Sequence, residues 1–237
     1  MIYRLINNIK YFVDDISNDL VTPYSFNNKP IPRVSDILKN CINEEYIARW
    51  ANSLGFRHKR YEDELERLAN IGSLAHEAIE RFFKTGEESD NVCFKGFKLW
   101  WDTINKNNKV KLIFSEEEIV TEYVGGTIDA LLEINGRYYL VDFKTSTNVT
   151  IKHFLQLAAY KYMIHISKGY ILDGVIILQL NKKYPAFGEY LLDLNKKTHN
   201  DFFIQCQQCF LSMLYQYYNY VDCSRKFGDI FGKHKSV

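Results

Sequence analysis

From about Tyr61 to Lys84, apolar residues fall at Leu65, Leu68, Ile71, Ala75, Ala78, Ile79 and Phe82, three or four positions apart, which gathers them on one helical face. Gly72 inside this stretch either interrupts the helix or lets another segment approach it closely. Shorter patterns predict helices over Glu44 to Leu54 and Phe94 to Ile104, and Pro32 ahead of Ser35 predicts a helix start with Ser35 as its N-cap. Strand patterns begin near residue 117. Leu131 to Ile134 and Arg137 to Phe143 are rich in aliphatic and aromatic residues and are separated only by Asn135-Gly136, a strong hairpin signal. Before them, Glu118 to Val124 reads as a strand ending at Gly125-Gly126. After them come a helix over Ile151 to Ser167, strands over Gly174 to Leu180 and Gly188 to Leu194, a closing helix over Thr198 to Tyr220, and a frayed tail from Gly228. The fold class this order predicts is α/β, a small mixed sheet flanked by helices, with a helical N-terminal region.

A chain of 237 residues, 46% hydrophobic, can bury a sizeable core. It is expected to form one unit: a mainly helical wall over 1–110, sheet and helices over 111–225, and a tail over 226–237. The formal net charge of +1 supplies no global basic field, so any nucleic-acid surface must come from local arrangement of Lys and Arg. Nothing resembles a signal-peptide core, and no run of about 18 apolar residues suggests a membrane partner. Five cysteines, Cys41, Cys93, Cys206, Cys209 and Cys223, are an odd number in a chain too large to need disulfide staples. They favour reduced thiols in the cytoplasm.

The hairpin carries the chemistry. With a two-residue loop, Ile134 faces Arg137, and continuing the ladder sets Asp129 opposite Asp142. Opposed side chains on a sheet lie about 4.5–5.5 Å apart at Cβ, so the two carboxylates repel each other. A divalent cation offsets that repulsion, and Mg²⁺ or Mn²⁺ with oxygen ligands is the expected cofactor. Lys144, two residues beyond Asp142, shares its face, while Val141 and Phe143 point the other way. An ammonium beside a carboxylate-bound metal can position an attacking water and stabilise charge growing on a phosphate. A solvated edge strand ending in Asp142-Phe-Lys144 is the plain alternative.

Gly126-Thr-Ile-Asp129, Val141-Asp-Phe-Lys-Thr145 and Gln156-Leu-Ala-Ala-Tyr160 resemble, in order and spacing, the metal, lysine and Gln-xxx-Tyr motifs of the RecB-like branch of the PD-(D/E)XK nucleases. Upstream, Gly72-Ser-Leu-Ala-His76 is similar to that branch's Gly-xxx-His helix motif, and Pro32-Arg-Val-Ser35 extends the likeness to the mitochondrial genome maintenance exonuclease group and its phage relatives. The resemblance implies a restriction-endonuclease-like core and metal-dependent cleavage of DNA, in exonuclease fashion from single-stranded ends. It implies that Asp129, Asp142, the Phe143 carbonyl and His76 bind metal, that Lys144 acts on water and phosphate, and that Gln156 and Tyr160 face the site. Glu80, one turn beyond His76, is a further candidate. Glu117 or Glu118 is the expected acid from the preceding strand, and Thr145 and Ser146 are candidate donors to the substrate backbone. A non-catalytic DNA-binding or assembly subunit is the other reading of the same fold.

Some RecB-like nucleases hold an iron–sulfur cluster with one early and three late cysteines. Here Cys206 and Cys209 lie in an amphipathic helical pattern and Cys223 follows at a longer spacing. Buried thiols are therefore expected, and a cluster is not.

Overall fold

The computed structural model describes residues 23–42 and 45–231. The expected helix start at Glu44 and positions 232–237 of the expected tail lie outside them. The elements, in chain order, are β1 (Tyr24–Phe26), β2 (Lys29–Ile31), α1 (Val34–Cys41), α2 (Glu45–Phe56), α3 (Tyr61–Thr85), α4 (Val92–Asn107), β3 (Val110–Val120), β4 (Gly125–Ile134), β5 (Arg137–Lys144), α5 (Ile151–Lys168), β6 (Gly174–Leu180), β7 (Phe187–Asp193) and α6 (Lys197–Phe231).

Strands β3 to β7 form one mixed sheet in the order β3-β4-β5-β6-β7, with only β5 and β6 parallel, joined by α5. Helices cover both faces. Against α3 and α4 lie Ala130, Leu132, Val141, Phe143, Ile176 and Leu178, packed on Ala75, Ile79, Phe94, Phe97 and Trp100. The opposite face sets Leu131, Leu140, Val175 and Ile177 against α1, α5 and α6. Strands β4, β5 and β6 alternate between these two layers, as period-2 geometry requires.

Several boundaries differ from the sequence expectation for local reasons. The first long strand starts at Val110, well before residue 117, and its early part pairs with β4 from Val110↔Ile134 onward. The first helix begins at Val34 with Arg33 as N-cap and no side-chain cap, so Ser35 sits within the first turn. Helix α3 runs through Gly72 unbroken; a β-carbon there would meet only Thr145 Oγ1 at 3.5 Å, an ordinary contact. Helix α6 continues to Phe231 where a frayed tail was expected. The small β1–β2 hairpin turns through Asn27 and Asn28, both in the left-handed region (φ 50° and 62°), conformations asparagine tolerates. The predicted Asn135-Gly136 turn has the same character, with φ 53° and 79°, and Ile134 pairs with Arg137. No helix of the described residues is long and apolar enough to cross a membrane.

Candidate active site

The site forms where the β4–β5 ladder ends. Pairing runs from Ile134↔Arg137 to Ala130↔Val141 and stops one step short of Asp129 and Asp142. In place of a further ladder bond, the Phe143 amide donates to Asp129 Oδ2 at 2.6 Å. Both carboxylates are buried, Asp129 at 8% and Asp142 at 1% exposure. Because the adjacent Ala130, Val141 and Phe143 belong to the α3–α4 layer, strand alternation turns Asp129, Asp142 and Lys144 to the other side.

Lys144 Nζ lies 2.8 Å from both oxygens of Asp142, yet hydrogen-bond geometry is met only at Oδ1. Oδ2 is buried with no hydrogen-bond partner. The Lys144 ammonium offsets the cost of burying that oxygen, but the oxygen keeps acceptor capacity that no hydrogen bond uses. Burial lifts the Asp142 pKa to about 6, with Asp129 adding to the rise and Lys144 opposing it. Asp129 is raised for the same leading reason, countered by His76, Lys144 and the Phe143 amide. Burial works against the Lys144 ammonium, but Asp142 and Asp129 outweigh it and hold its pKa above the ordinary value.

His76 reaches in from α3. Its Nδ1 is 3.1 Å from Glu116 Oε1 and its Nε2 is 3.2 Å from the Phe143 carbonyl. Both partners are acceptors, so only the doubly protonated ring satisfies both contacts. Burial opposes that charge, but Asp129 and Glu116 prevail and push the His76 pKa up to about 9. A ring that binds metal must give up one of these protons, so protonation and loading compete here.

The acidic partner from β3 is Glu116. Glu117, expected from the sequence, is instead ion-paired with Lys168, while Glu118 pairs in register with Thr127 on β4. The β3–β4 register slips between Leu112 and Phe114, then runs through Ser115↔Ala130 and resumes at Glu117↔Ile128, leaving Glu116 and Asp129 between those steps. Glu116 occupies the left-handed region at φ 47°, a strained conformation for a non-glycine residue, worth on the order of 1 kcal/mol. That turn of backbone brings ligand atoms of His76, Glu116 and Asp129 within 4.8 Å of one another. Neither the strain nor the register is written in the run Ser-Glu-Glu-Glu, which explains why Glu116 was not singled out.

The other expected residues fall at graded distances. Gln156 Nε2 donates to Tyr160 Oη at 2.9 Å, and burial, aided by Asp129 and Asp142, drives the Tyr160 phenol well above its usual range. Gly126 makes room for that ring, since a β-carbon there would lie 2.8 Å from Tyr160 Cε1. Glu80 lines the same cavity as His76 and Glu116, about 400 Å³ in volume, but is ion-paired with Lys84 and stands outside the ligand group. Thr145 abuts Gly72, whereas the Ser146 hydroxyl is used within its own turn, donating to the Asn148 carbonyl at 3.0 Å. Of the cysteines, Cys93 and Cys206 are buried, Cys41 is partly so, and Cys209 and Cys223 are exposed. Burial lifts the Cys206 thiol pKa to about 11, which keeps it protonated at neutral pH.

An imidazole, three carboxylates and a carbonyl oxygen make a hard, oxygen-rich donor set, and Asp142 Oδ2, which accepts no hydrogen bond, has a lone pair left to offer a metal ion beside the Lys144 ammonium. The residues present fit a divalent ion. No family model and no curated protein matches this chain. Among solved structures, the protein SSO0001 is similar over 89% of this chain and 86% of its own, at 14% identity and a TM-score of 0.39. A phage-related exonuclease from Haemophilus somnus 129PT is similar over 82% of this chain and 96% of its own, at 14% identity and a TM-score of 0.37. The functional reading therefore rests on the residues themselves.

Proposed function

We propose that this chain is a divalent-metal-dependent nuclease that hydrolyses DNA phosphodiester bonds, acting as an exonuclease on single-stranded ends. The observation that carries the reading is the gathering of His76, Glu116 and Asp129 within ligand distance beside the buried Asp142 carboxylate and its lysine. Those four side chains and the Phe143 carbonyl would hold Mg²⁺ or Mn²⁺. When bound, the ion supplies Lewis-acid polarisation of the phosphate and lowers the pKa of water.

The chain's own groups divide the remaining work. Asp142 fixes the Lys144 ammonium at 2.8 Å, so the positive charge is already in place when negative charge grows on the phosphate. In its raised-pKa state Lys144 acts as a donor and an electrostatic partner to an attacking water. Gln156 and Tyr160 form a preset pair beside the carboxylates, with the tyrosine kept neutral by burial and able to donate to a phosphate oxygen.

End-labelled single- and double-stranded DNA incubated with Mg²⁺, Mn²⁺ or EDTA tests this directly. Degradation is expected with either ion, none with EDTA, and a product ladder that shortens from an end and favours the single strand. A wild-type protein that binds DNA but leaves every substrate intact in both ions would replace the nuclease with a binding subunit.

A further inference from the structure

We infer that the β6–β7 hairpin, through Lys182, Lys183 and Tyr184, is the clamp that holds the unpaired strand leading into the active site. The inference rests on the proposed nuclease reading for its substrate, but the hairpin's properties stand apart from the catalytic groups. The placement follows from register. Strands β5 and β6 are parallel, Lys144 pairs with Gln179, and the hairpin tip begins three residues further on, about 10 Å beyond the lysine's row at strand spacing. The tip therefore projects from the same end of the sheet as Asp142 and Lys144.

The hairpin is held rigidly. Asn181 Oδ1 accepts from the amides of Lys183 at 2.8 Å and Tyr184 at 3.4 Å, and the Asn181 amide donates to the Ala186 carbonyl at 3.0 Å. On the α4 side, a β-carbon at Gly96 would lie 2.6 Å from the Ala186 carbonyl oxygen, so helix and hairpin meet backbone to backbone. A second link reaches the turn that follows β5. Gln179 Nε2 donates to the carbonyls of Ser146 and Thr147, both at 2.8 Å, and Tyr190 Oη donates to Gln179 Oε1 at 3.4 Å.

On this fixed support Lys183 and Tyr184 are exposed and Lys182 is half-buried. Tyr184 is 60% exposed and Tyr190 42%, in places where neither ring fills the core. Among the described residues neither Lys182 nor Lys183 has an acidic partner, whereas Lys84, Lys98 and Lys168 are each neutralised by an acid. Unneutralised lysines beside an open aromatic ring suit phosphates flanking a stacked base. A paired base in a duplex has no free face to offer the ring.

Fluorescence anisotropy with labelled single-stranded and blunt duplex oligonucleotides in EDTA, across a salt series, reads the clamp without cleavage. An oligonucleotide carrying 2-aminopurine reports stacking. Wild type should prefer the single strand and quench the probe. Tyr184→Ala should lose the quenching and about tenfold in single-strand affinity, while Tyr184→Phe keeps both. Lys182→Ala with Lys183→Ala should lower the slope of log affinity against log salt by about 1.4, at about 0.7 per lost phosphate contact. In the cleavage assay these variants should raise KM and leave kcat unchanged. Failure of the wild type to bind single strands, or unchanged quenching in Tyr184→Ala with an unchanged salt slope in the double variant, overturns the clamp. If the wild type binds with these signatures but cleaves nothing, the nuclease reading fails and the clamp survives.

Discussion

Lys144→Ala is expected to reduce metal-dependent cleavage by about 10³-fold or more in kcat, the combined scale of losing a positioned proton donor and a preorganised charge. The residue lies 2.8 Å from both Asp142 oxygens, and no other lysine or arginine of the described residues bonds that carboxylate. The same substitution strands two buried carboxylates beside each other, with His76 acting on Asp129 and His153 more weakly on Asp142. The metal-free variant should therefore also be less stable, by a few kcal/mol, as when one partner of a buried ion pair is removed. Mn²⁺ should restore more stability to this variant than to the wild type, because its charge offsets the same repulsion. Steady-state cleavage and thermal melts with and without Mn²⁺ read both effects. A rate within about tenfold of wild type would remove Lys144 from the chemistry.

Phe97→Ala should unfold the protein more easily by about 3–5 kcal/mol in a urea titration. Phe97 is fully buried, and its ring meets Phe82, Phe83, Phe94, Trp100, Trp101 and Phe143 at centroid distances of 5.4–6.2 Å. Truncation removes its own transfer free energy and opens a cavity that rigid rings on several elements cannot collapse into. The neighbouring Phe143 supplies the carbonyl that His76 contacts, so the loss should reach the site as well as the core. Cleavage by the folded variant should fall along with stability. A loss below about 1 kcal/mol would mean that this aromatic layer is not packed as described.

The hairpin around Asn135-Gly136 was legible because turn chemistry and strand alternation are local properties of sequence. The same alternation put Asp142 and Lys144 on one face, and a helical period put His76 and the α3 apolar stripe on theirs. Glu116 was not legible. Its selection over Glu117 and Glu118 depends on a register slip near Leu112–Phe114 and a left-handed backbone at φ 47°, both set by the sheet as a whole. The start of β3 at Val110 was hidden for a related reason, since its early residues are only partly buried and show no clean alternation. Ser35 had the chemistry of an N-cap but lies two residues too late, because the Arg33–Gly125 bridge fixes where the chain leaves its extended conformation. Local signals thus pointed to the two carboxylates and the lysine, while the third acid required tertiary structure.

The measurement that tests the account most directly is calorimetric titration of Mn²⁺ into the wild type, Glu116→Gln, Glu117→Gln and Glu118→Gln. The account predicts binding in the wild type that is weakened at least tenfold by Glu116→Gln and left intact by the other two, since tenfold is the lower range for losing one supporting group at a metal site. Equal binding in all three variants, or none in the wild type, would contradict a metal centre built on His76, Glu116, Asp129 and Asp142.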